Sequence, residues 1–331
     1  MLQTIYKKNN ALQELYAPVT DELNQVNAFI HQHLQSTVPL INDIEEHIFL
    51  AQSKHLRPLL VLLSAKACGY HAKQHISLAA AIEFLHTATL LHDDVVDTSS
   101  MRRGRYTANY LWNNASSVLV GDFIYSRAFQ LMVQTGNMEV MKILAQATNT
   151  IAEGEVLQLT NLKNIQLSCT EYMDVIYRKT AVLFEVSSHA AAILSNASDE
   201  IIRGLKAFGR HLGIAFQLTD DILDYTGDEK IMGKNLGDDI AEGKMTLPLI
   251  YVVQNGSPAE VALVKNAVTK CDASCINDII DVVLKSGSVD YTLSIALKEE
   301  KLASEALACL PDSEYRKALK NLALFSVNRN K

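Results

Sequence analysis

Three aspartates followed by three arginines stand within one short segment, LLHDDVVDTSSMRRGR, residues 90–105. On a helix, Asp93 and Asp97 are one turn apart, as are Asp94 and Asp97, so their carboxylates crowd together at about 5–6 Å. Each like-charge pair costs about 3 kcal/mol at an effective dielectric constant of about 20, and no cation stands three or four residues away. The segment therefore predicts either a bound cation, for which hard oxygen ligands favour Mg²⁺, or a helix end with solvated acids.

The same spacing recurs in FQLTDDILDYTGD, where Gln217 precedes Asp220, Asp221 and Asp224. One such motif is a weak signal, but two motifs on separate helices can face each other across a bundle, as helical metal sites do. Lysines and arginines near clustered aspartates indicate an anionic ligand between them, most simply a diphosphate. The sequence has no G-x-x-x-x-G-K-[ST] phosphate loop, so a nucleotide is not indicated.

The helix that must carry the first motif is the clearest in the sequence, at residues 79–97. At 100° per residue, one of its faces is an apolar stripe that should face a core, formed by Phe84, Ala88, Leu91 and Val95. A second face carries His86, Thr89, Leu90, Asp93 and Asp97. A histidine and two carboxylates therefore share one line along this helix.

The rest of the chain also predicts helices, because proline is rare and alternating runs of β-branched residues are scarce. We expect an all-α fold, one domain over residues 1–331 whose first 20 or so residues are poorly ordered. The other predicted helices cover residues 21–35, 40–50, 56–68, 116–134, 137–160, 170–194, 199–226, 246–254, 258–271, 275–286, 288–309 and 312–329.

Composition excludes several classes of protein. The formal net charge is −7, which gives no basic excess for nucleic acid. Five scattered cysteines indicate reduced thiols. Cys271 and Cys275 are four residues apart but have no second cysteine or histidine pair nearby, so we interpret them as ordinary helix residues and not as zinc ligands. No signal peptide and no run of about 18 apolar residues occurs, so we expect a cytoplasmic protein.

Four segments in this order resemble the signature of the trans-isoprenyl diphosphate synthases: LLHDDVVD followed by MRRG, YRKTAVLFE, AFQLTDDILDY and GKNLGDDIAEGKMTLP. The segments IEFLHTATLLHDDVVD, ASSVLVGDFIYSRAFQLM and IAEGEVLQL are most similar to the bacterial octaprenyl diphosphate synthases. The resemblance runs from about residue 20 to the end. It implies a large helical bundle of the isoprenoid synthase type with a central active-site cavity.

The resemblance also implies the reaction and its partners. An allylic diphosphate, here expected to be farnesyl diphosphate, condenses with isopentenyl diphosphate to a long trans-polyprenyl diphosphate, expected to be octaprenyl diphosphate for a quinone side chain. The cofactor is Mg²⁺, with three ions per active site when substrate is bound. We expect a homodimer whose partners are diphosphate substrates, with only transient membrane contact for product release and no nucleic acid.

Residue roles carry over position by position. The family's direct metal ligands match Asp93, Asp97 and Asp220, and its weaker metal partners match Asp94, Asp221 and Asp224. The contacts to the allylic diphosphate match Arg102, Lys179, Lys234 and Lys244. Thr180 and Gln217 match positions that face the reacting carbons, although Gln217 by itself would fit a structural role. We expect catalysis to depend on Asp93, Asp97, Asp220, Lys179 and Gln217.

The isopentenyl diphosphate pocket of the family matches Lys54, Arg57, His86 and Arg103. By themselves, His86 would fit a core histidine, and Lys54 and Arg57 an ordinary charged turn before a proline. The chain departs from the family pattern Gly-Gly-Lys-Arg-x-Arg-Pro, because Gln52, Ser53 and His55 replace the two glycines and the first arginine. The departure puts the loop geometry and the affinity for isopentenyl diphosphate in question.

Product length should follow from the residues upstream of the first motif. Short-chain relatives place an aromatic residue four or five positions before the first aspartate, where Thr89 and Ala88 stand here. Small side chains leave the tunnel open and predict a long product. Phe129 and Met132 on the next helix are candidates for the tunnel floor, although ordinary core packing explains them equally well.

Four other functions compete with this one. A non-catalytic subunit of a heteromeric synthase generally loses an acidic motif, whereas this chain keeps both. A shorter-chain geranylgeranyl synthase would need a blocked tunnel. A terpene cyclase or head-to-head synthase would not need the isopentenyl pocket, and an iron-binding carboxylate bundle would need Glu-x-x-His pairs.

Overall fold

The computed structural model describes residues 13–49, 54–227, 236–271 and 273–329. Within these ranges the chain forms helices and one two-stranded hairpin, β1 (Met101–Arg102) with β2 (Arg105–Tyr106). The helices of the first half are α1 (Thr20–Leu34), α2 (Pro39–Phe49), α3 (Leu56–Ala67), α4 (Gln74–Val96), α5 (Ala108–Leu111), α6 (Asn114–Gln134), α7 (Met138–Thr160), α8 (Cys169–Ile176) and α9 (Val182–Leu194). Those of the second half are α10 (Asp199–Thr226), α11 (Asp238–Ala241), α12 (Leu247–Asn255), α13 (Pro258–Lys270), α14 (Ile276–Lys285), α15 (Ser288–Ala306) and α16 (Glu314–Val327).

The predicted all-α fold is confirmed. Every helix that we predicted is present, with ends within three residues of the prediction except that α4 begins at Gln74, five residues earlier. The hairpin and the short helices α5 and α11 were not predicted. Their strands of two residues and helices of four residues are too short to show a hydrophobic period in the sequence. Of the first 20 residues, where we expected poor order, residues 1–12 lie outside the described residues, whereas residues 13–20 are helical and bury Leu15 and Val19.

Local sequence explains where the site-bearing helices begin. Ser168 caps α8 in a capping box with Glu171, and the Ser198 side chain accepts the backbone N–H of Ile201 at the start of α10. A five-residue π-helical turn, Tyr177–Ala181, joins α8 to α9. Such turns shift the register of a helix face by one residue, and they are frequent at functional sites.

Glycines let the neighbouring helices approach this turn closely. A Cβ atom on Gly154 of α7 would lie 2.7 Å from Cβ of Arg178, and one on Gly213 of α10 would lie 2.5 Å from Cα of Ala181. Both distances are shorter than a carbon–carbon contact allows. The turn is therefore wedged between α7 and α10, and its side chains are held close to both helices.

Two apolar clusters form the core, and α10 runs through both. Its first half contributes Leu205, Phe208 and Leu212 to the larger cluster, and its second half contributes Leu218 and Tyr225 to the smaller one. In the larger cluster α4 packs against α6, and α9 packs against α3 and α10. The assignment of the chain to one domain stays a prediction.

Across the part of the chain that the structure describes, no helix is both long enough and apolar enough to cross a lipid bilayer.

Candidate active site

A cavity of about 730 Å³ opens between α3, α4, α7, the π-helical turn and α10. It collects most of the residues singled out in the sequence, although they are spread over almost the whole chain. Those that line it are Lys54, Arg57, His86, Thr89, Asp93, Asp97, Arg102, Arg103, Lys179, Thr180, Gln217, Asp220, Asp221 and Lys244. Lys234, Gln52 and Ser53 lie outside the described residues.

The polar stripe of α4 faces this cavity along its length, because His86, Thr89, Leu90, Asp93 and Asp97 all line it. The acids of the stripe are paired with lysines from distant segments. Lys179 Nζ lies 3.6 Å from Asp93 Oδ2, and Lys244 Nζ lies 3.1 Å from Asp97 Oδ2. The cation missing from the helix itself is thus supplied by other elements.

Lys244 is held among acids on several sides. It contacts Glu242 as well as Asp97. Burial lowers the pKa of the Lys244 ammonium, but the carboxylates of Asp239, Asp97 and Glu242 raise it by more, so the net pKa lies above its ordinary value. The ammonium therefore stays charged beside the first motif.

Lys179 is held by a pair of residues on α7 that the motif analysis did not single out. Glu155 Oε2 and Gln158 Oε1 accept hydrogen bonds from its ammonium at 2.7 and 2.6 Å. Burial, together with the charges of Asp93 and Asp97, raises the pKa of the Glu155 carboxyl. The only signal for these residues in the sequence was the segment IAEGEVLQL. Within it Glu155 and Gln158 are one helical turn apart, so their side chains share a face.

Asp94 differs from its neighbours, because it does not line the cavity. Its carboxylate is buried and accepts a 2.8 Å hydrogen bond from Nε of Arg102. The backbone carbonyl of Asp94 accepts a 3.0 Å bond from the Asn109 side chain. Asp94 therefore points toward the hairpin, and its role as a weaker metal partner stays a prediction.

The hairpin that returns Arg102 to Asp94 turns at Arg103 and Gly104, which have φ of +53° and +75°. Positive φ at both central residues is the geometry of the two-residue turn that suits the twist of paired strands. The turn places Arg102 and Arg103 on the wall of the same cavity.

The second motif also divides its acids. Asp220 lines the cavity, and its nearest cation is Nη1 of Arg329 at 3.4 Å. Asp224 is fully buried away from the cavity and accepts the backbone N–H of Asp239 at 3.3 Å, which ties α11 to α10. As with Asp94, the role of Asp224 as a weaker metal partner stays a prediction.

Asp221 lies between these two extremes. It is 3% exposed, and both of its carboxylate oxygens have protein partners, the hydroxyl of Tyr172 and the Nε2 amide of Gln217. Burial and the charge of Asp239 raise the pKa of the Asp221 carboxyl well above its usual range. Crowded acids of this kind are the electrostatic condition that a bound cation relieves.

The opposite wall is basic. Arg57 is half-buried, with its guanidinium 4.4 Å from the centre of the Phe184 ring, and desolvation lowers its pKa to about 10. Within the described residues the Nε atom of Arg57 has no hydrogen-bond acceptor. Burial and the nearby Arg57 lower the pKa of His86 well below its ordinary value, so this imidazole is neutral.

His55, the residue that departs from the family pattern, contacts a buried acid. Its Nδ1 lies 3.2 Å from Oε1 of Glu83, which is 2% exposed. Although burial raises it, the hydrogen bond and charge of His55, together with the charge of Arg57, bring the pKa of Glu83 down to about 2. Glu83 was missed because in the sequence it is one acid on an otherwise apolar helix face.

Arg329, just after α16, is a further residue that the sequence did not reveal. Its guanidinium stacks 3.7 Å from the centre of the Phe216 ring and donates a 2.6 Å hydrogen bond to the Phe216 carbonyl. It lines the cavity next to Asp220. No motif or spacing marks it, since only the packing of α16 against α3 and α10 brings it there.

The chain-length candidates are less well placed than the charged residues. Thr89 lines the cavity, whereas Ala88 and Met132 are fully buried in the larger core and Phe129 packs against Tyr125. The described cavity therefore reaches Thr89 but not the other three residues that the sequence predicts along the tunnel. The roles of these four residues in product length stay predictions.

Among the described residues, no group of three or more histidine, cysteine, aspartate or glutamate side chains is close enough to hold one metal ion. The carboxylates that could contribute to a metal site in the cavity are those of Asp93 and Asp97 at the end of α4 and of Asp220 on α10. Mg²⁺ commonly binds one or two carboxylates and takes its remaining ligands from water and substrate phosphate. The donor set fits that mode, in which a diphosphate completes the coordination.

Comparison with known proteins agrees with this geometry. The polyprenyl synthetase family profile matches residues 38–284. The octaprenyl diphosphate synthase of Haemophilus influenzae is 44% identical over 97% of this chain and 98% of its own length. A polyprenyl synthase from Caulobacter crescentus, solved in complex with calcium and isoprenyl diphosphate, is 41% identical with a TM-score of 0.94, over 97% of this chain and 98% of its own. A decaprenyl diphosphate synthase from Rhodobacter capsulatus is 43% identical with a TM-score of 0.91, over 97% and 99%.

Proposed function

Because the chain belongs to the polyprenyl synthetase family, we propose that it is a trans-prenyltransferase that makes octaprenyl diphosphate. It adds isopentenyl diphosphate repeatedly to an allylic diphosphate, with farnesyl diphosphate as the primer and a quinone side chain as the destination of the product. One observation carries the proposal: a single cavity has an acidic wall at Asp93, Asp97 and Asp220 and a basic wall at Lys54, Arg57 and Arg103. The reaction needs two diphosphates, one bound through metal and one through cations, and each wall suits one of them.

The acidic wall binds the allylic diphosphate. A prenyl synthase takes a divalent metal, and we assign it here as Mg²⁺, three ions per site, held by Asp93, Asp97 and Asp220. When bound, the metal neutralises the charge that develops on the leaving diphosphate. Asp94, Asp221 and Asp224 act indirectly, because their carboxylates already bind Arg102, Tyr172 with Gln217, and the backbone of α11.

Two lysines change partners in this scheme. Lys179 and Lys244 pair with Asp93 and Asp97 in the structure, and their ammonium groups would be released if those carboxylates held a metal. Both lysines then contact the diphosphate oxygens, together with Arg102 and Lys234. The same cations thus balance the acids before the substrate binds and the diphosphate afterwards.

The basic wall binds isopentenyl diphosphate. Lys54, Arg57 and Arg103 line it. The buried Nε of Arg57 has no hydrogen-bond acceptor among the described residues, and a diphosphate oxygen would supply one. Arginine forms paired hydrogen bonds to phosphate, and lysine adds a point charge. The neutral His86 contributes a hydrogen bond without adding to the cationic charge.

The chemical step takes place between the two walls. The bond from the allylic carbon to its diphosphate breaks, and the isopentenyl double bond attacks that carbon. Thr180 and Gln217 line the cavity beside the proposed position of the reacting carbon, and they present oxygen dipoles to the developing cation. The departing diphosphate accepts the proton that the new chain loses, which restores a double bond and leaves a chain five carbons longer.

A long product requires an open path below the site. Thr89 at the cavity wall and Ala88 one residue earlier are small, so no aromatic ring stands at the two positions one helical turn before Asp93. Phe129 and Met132 are the proposed floor, reached when the surrounding core yields to a growing chain. Product release then involves transient contact with a membrane, and we assign the enzyme to the cytoplasm.

An exposed apolar stripe on α7 supports the proposal of a homodimer. Met138, Ala145, Ala152 and Leu159 recur every seven residues and are all exposed, and Leu119 on the adjacent α6 is 66% exposed. Sustained seven-residue spacing is typical of helix-to-helix docking. Sedimentation of Leu119→Glu together with Leu159→Glu should give a monomer, whereas an unchanged dimer would place the interface elsewhere.

The direct test is an incubation of the purified protein with Mg²⁺, farnesyl diphosphate and radiolabelled isopentenyl diphosphate, followed by separation of products by length. We expect label in a product of forty carbons. The absence of incorporation by the protein alone would make it a non-catalytic subunit, and products of only fifteen or twenty carbons would contradict the open tunnel.

A further inference from the structure

Tyr172 of α8 is a buried residue of the cavity wall to which the proposed chemistry assigns no task. It is 4% exposed and lines the cavity. Burial and the Asp221 carboxylate raise the pKa of its phenol well above the ordinary value, so the hydroxyl keeps its proton. That hydroxyl meets Oδ2 of Asp221.

From Tyr172 a chain of hydrogen bonds runs through two residues to the π-helical turn. Oδ1 of Asp221 accepts a 2.8 Å bond from Nε2 of Gln217, and Oε1 of Gln217 accepts a 2.7 Å bond from the hydroxyl of Thr180. The four side chains come from α8, α10 and the turn, so the chain of bonds crosses three elements. Its far end lies where the proposed chemistry takes place.

The Asp221 end decides which way the Gln217 amide points. A carboxylate oxygen only accepts, so Gln217 must offer it the amino group and turn its carbonyl toward Thr180. The Tyr172 hydroxyl holds the other oxygen, Oδ2, so that Oδ1 is the oxygen presented to Gln217. Thr180 cannot fix the direction, because a hydroxyl both donates and accepts.

The direction of the amide sets the sign of the dipoles beside the reacting carbon. With the carbonyl toward Thr180, the oxygens of Gln217 and Thr180 form the polar surface at this level of the cavity. If the amide were reversed, its amino group would replace the carbonyl and oppose positive charge. Preorganised dipoles aimed at developing charge are usually the largest electrostatic contribution to catalysis.

We propose that Tyr172 is a positioning residue, which acts through Asp221 to fix the polarity of Gln217 and Thr180 toward the allylic cation. The inference rests on the proposed function, since it needs a cationic intermediate at this place. It assigns Asp221 to the same task, which separates it from Asp220 next to it in the sequence.

The test uses two unreactive ligands of the full-length enzyme with Mg²⁺ and titration calorimetry. One ligand is an allylic diphosphate analogue with an ammonium nitrogen at the cationic carbon, and the other is the neutral allylic thiolodiphosphate. Tyr172→Phe should weaken the ammonium analogue about tenfold, the effect of one hydrogen bond of about 1.4 kcal/mol, and change the thiolodiphosphate less than about twofold.

Tyr225→Phe is the matched control. Its phenol is 1% exposed on α10 and hydrogen bonds to the Thr246 hydroxyl at 2.8 Å, so the variant loses a comparable buried bond that is not part of the chain from Tyr172 to Thr180. Both ligands should bind this variant as they bind the wild type. Equal losses for both ligands in Tyr172→Phe would mean a structural role and would overturn the inference.

Asp221→Asn provides a second variant if Tyr172→Phe fails to fold. Asparagine offers Gln217 either an amino group or a carbonyl, so the amide direction is no longer fixed, and the same selective loss is expected. Binding of both ligands by the wild type, with the ammonium analogue undiminished in both variants, would overturn the inference but leave the proposed function standing. A wild type that binds neither ligand would remove the proposed function itself.

Discussion

The two acidic motifs have the same spacing but are built into the molecule differently. On α4 the first and last acids, Asp93 and Asp97, face the cavity, and Asp94 turns away to Arg102. On α10 the two adjacent acids, Asp220 and Asp221, face the cavity, and the last acid is buried under α11. A shared motif therefore does not assign the same task to the same position.

The neighbours of each helix explain the difference. α4 ends at Val96, with Asp97 as its C-cap, and lysines from α8–α9 and from the segment before α12 reach its acids. α10 continues to Thr226, and the backbone after it folds back to satisfy Asp224. The first motif is thus balanced by cations that a metal can replace, while the second is partly held by hydrogen bonds that a metal need not disturb.

The largest effect is expected at the first motif. Asp93→Asn should lower kcat/KM by about 1000-fold, or roughly 4 kcal/mol of metal-derived stabilisation. Asp94→Asn should cost about tenfold, because it weakens one charge-assisted bond to Arg102. Incorporation of radiolabelled isopentenyl diphosphate measures both, and equal losses would mean that the two acids share one task.

The second motif separates activity from stability. Asp220→Asn should lower kcat by about 100-fold with an unchanged free energy of unfolding, because Asp220 is partly exposed and binds metal in our scheme. Asp224→Ala should lower the free energy of unfolding by about 2 kcal/mol, since it leaves the backbone N–H of Asp239 without its acceptor. Urea titrations and initial rates measure the two quantities, and an opposite assignment of the effects would reverse the comparison.

Upstream on α4, two adjacent residues test how far the cavity face extends. Thr89→Phe should shorten the product, because Thr89 lines the cavity. Ala88→Phe should also shorten it while the first condensation continues, but at a packing cost of about 1–3 kcal/mol, because Ala88 is fully buried. An unchanged product distribution in Ala88→Phe would count against a tunnel at that position.

The smallest effect concerns Glu83, a carboxylate that its neighbours keep ionised, in contrast to Asp221. Its pKa of about 2 lies below the ordinary value of 4.5. Its contribution to folding is therefore fully present above pH 4.5 and is lost as the pH falls toward 2, at no more than about 1.4 kcal/mol per pH unit. Glu83→Gln should flatten this part of the stability profile, and an unchanged slope would assign it to other groups.

The sequence predicted the helices well because long apolar periodicity and caps are local signals. It also predicted that His86, Asp93 and Asp97 lie on one face of α4, because that placement depends only on helical geometry. Spacing alone could not distinguish Asp94 from Asp93, or Asp224 from Asp220, because that difference depends on the hairpin turn at Arg103 and on the backbone of α11; only the family resemblance separated them. Arg329 and Tyr172 were missed for the same reason: packing, rather than spacing, brings them to the cavity.

The division of labour within the two motifs is tested most directly by Mn²⁺ binding. Free Mn²⁺ is measured by electron paramagnetic resonance in the presence of the unreactive allylic thiolodiphosphate, for each Asp→Asn variant. We expect bound Mn²⁺ to fall in the variants at Asp93, Asp97 and Asp220 and to match the wild type in those at Asp94 and Asp224. Equal losses at all five positions, or losses confined to Asp94 and Asp224, would contradict the account.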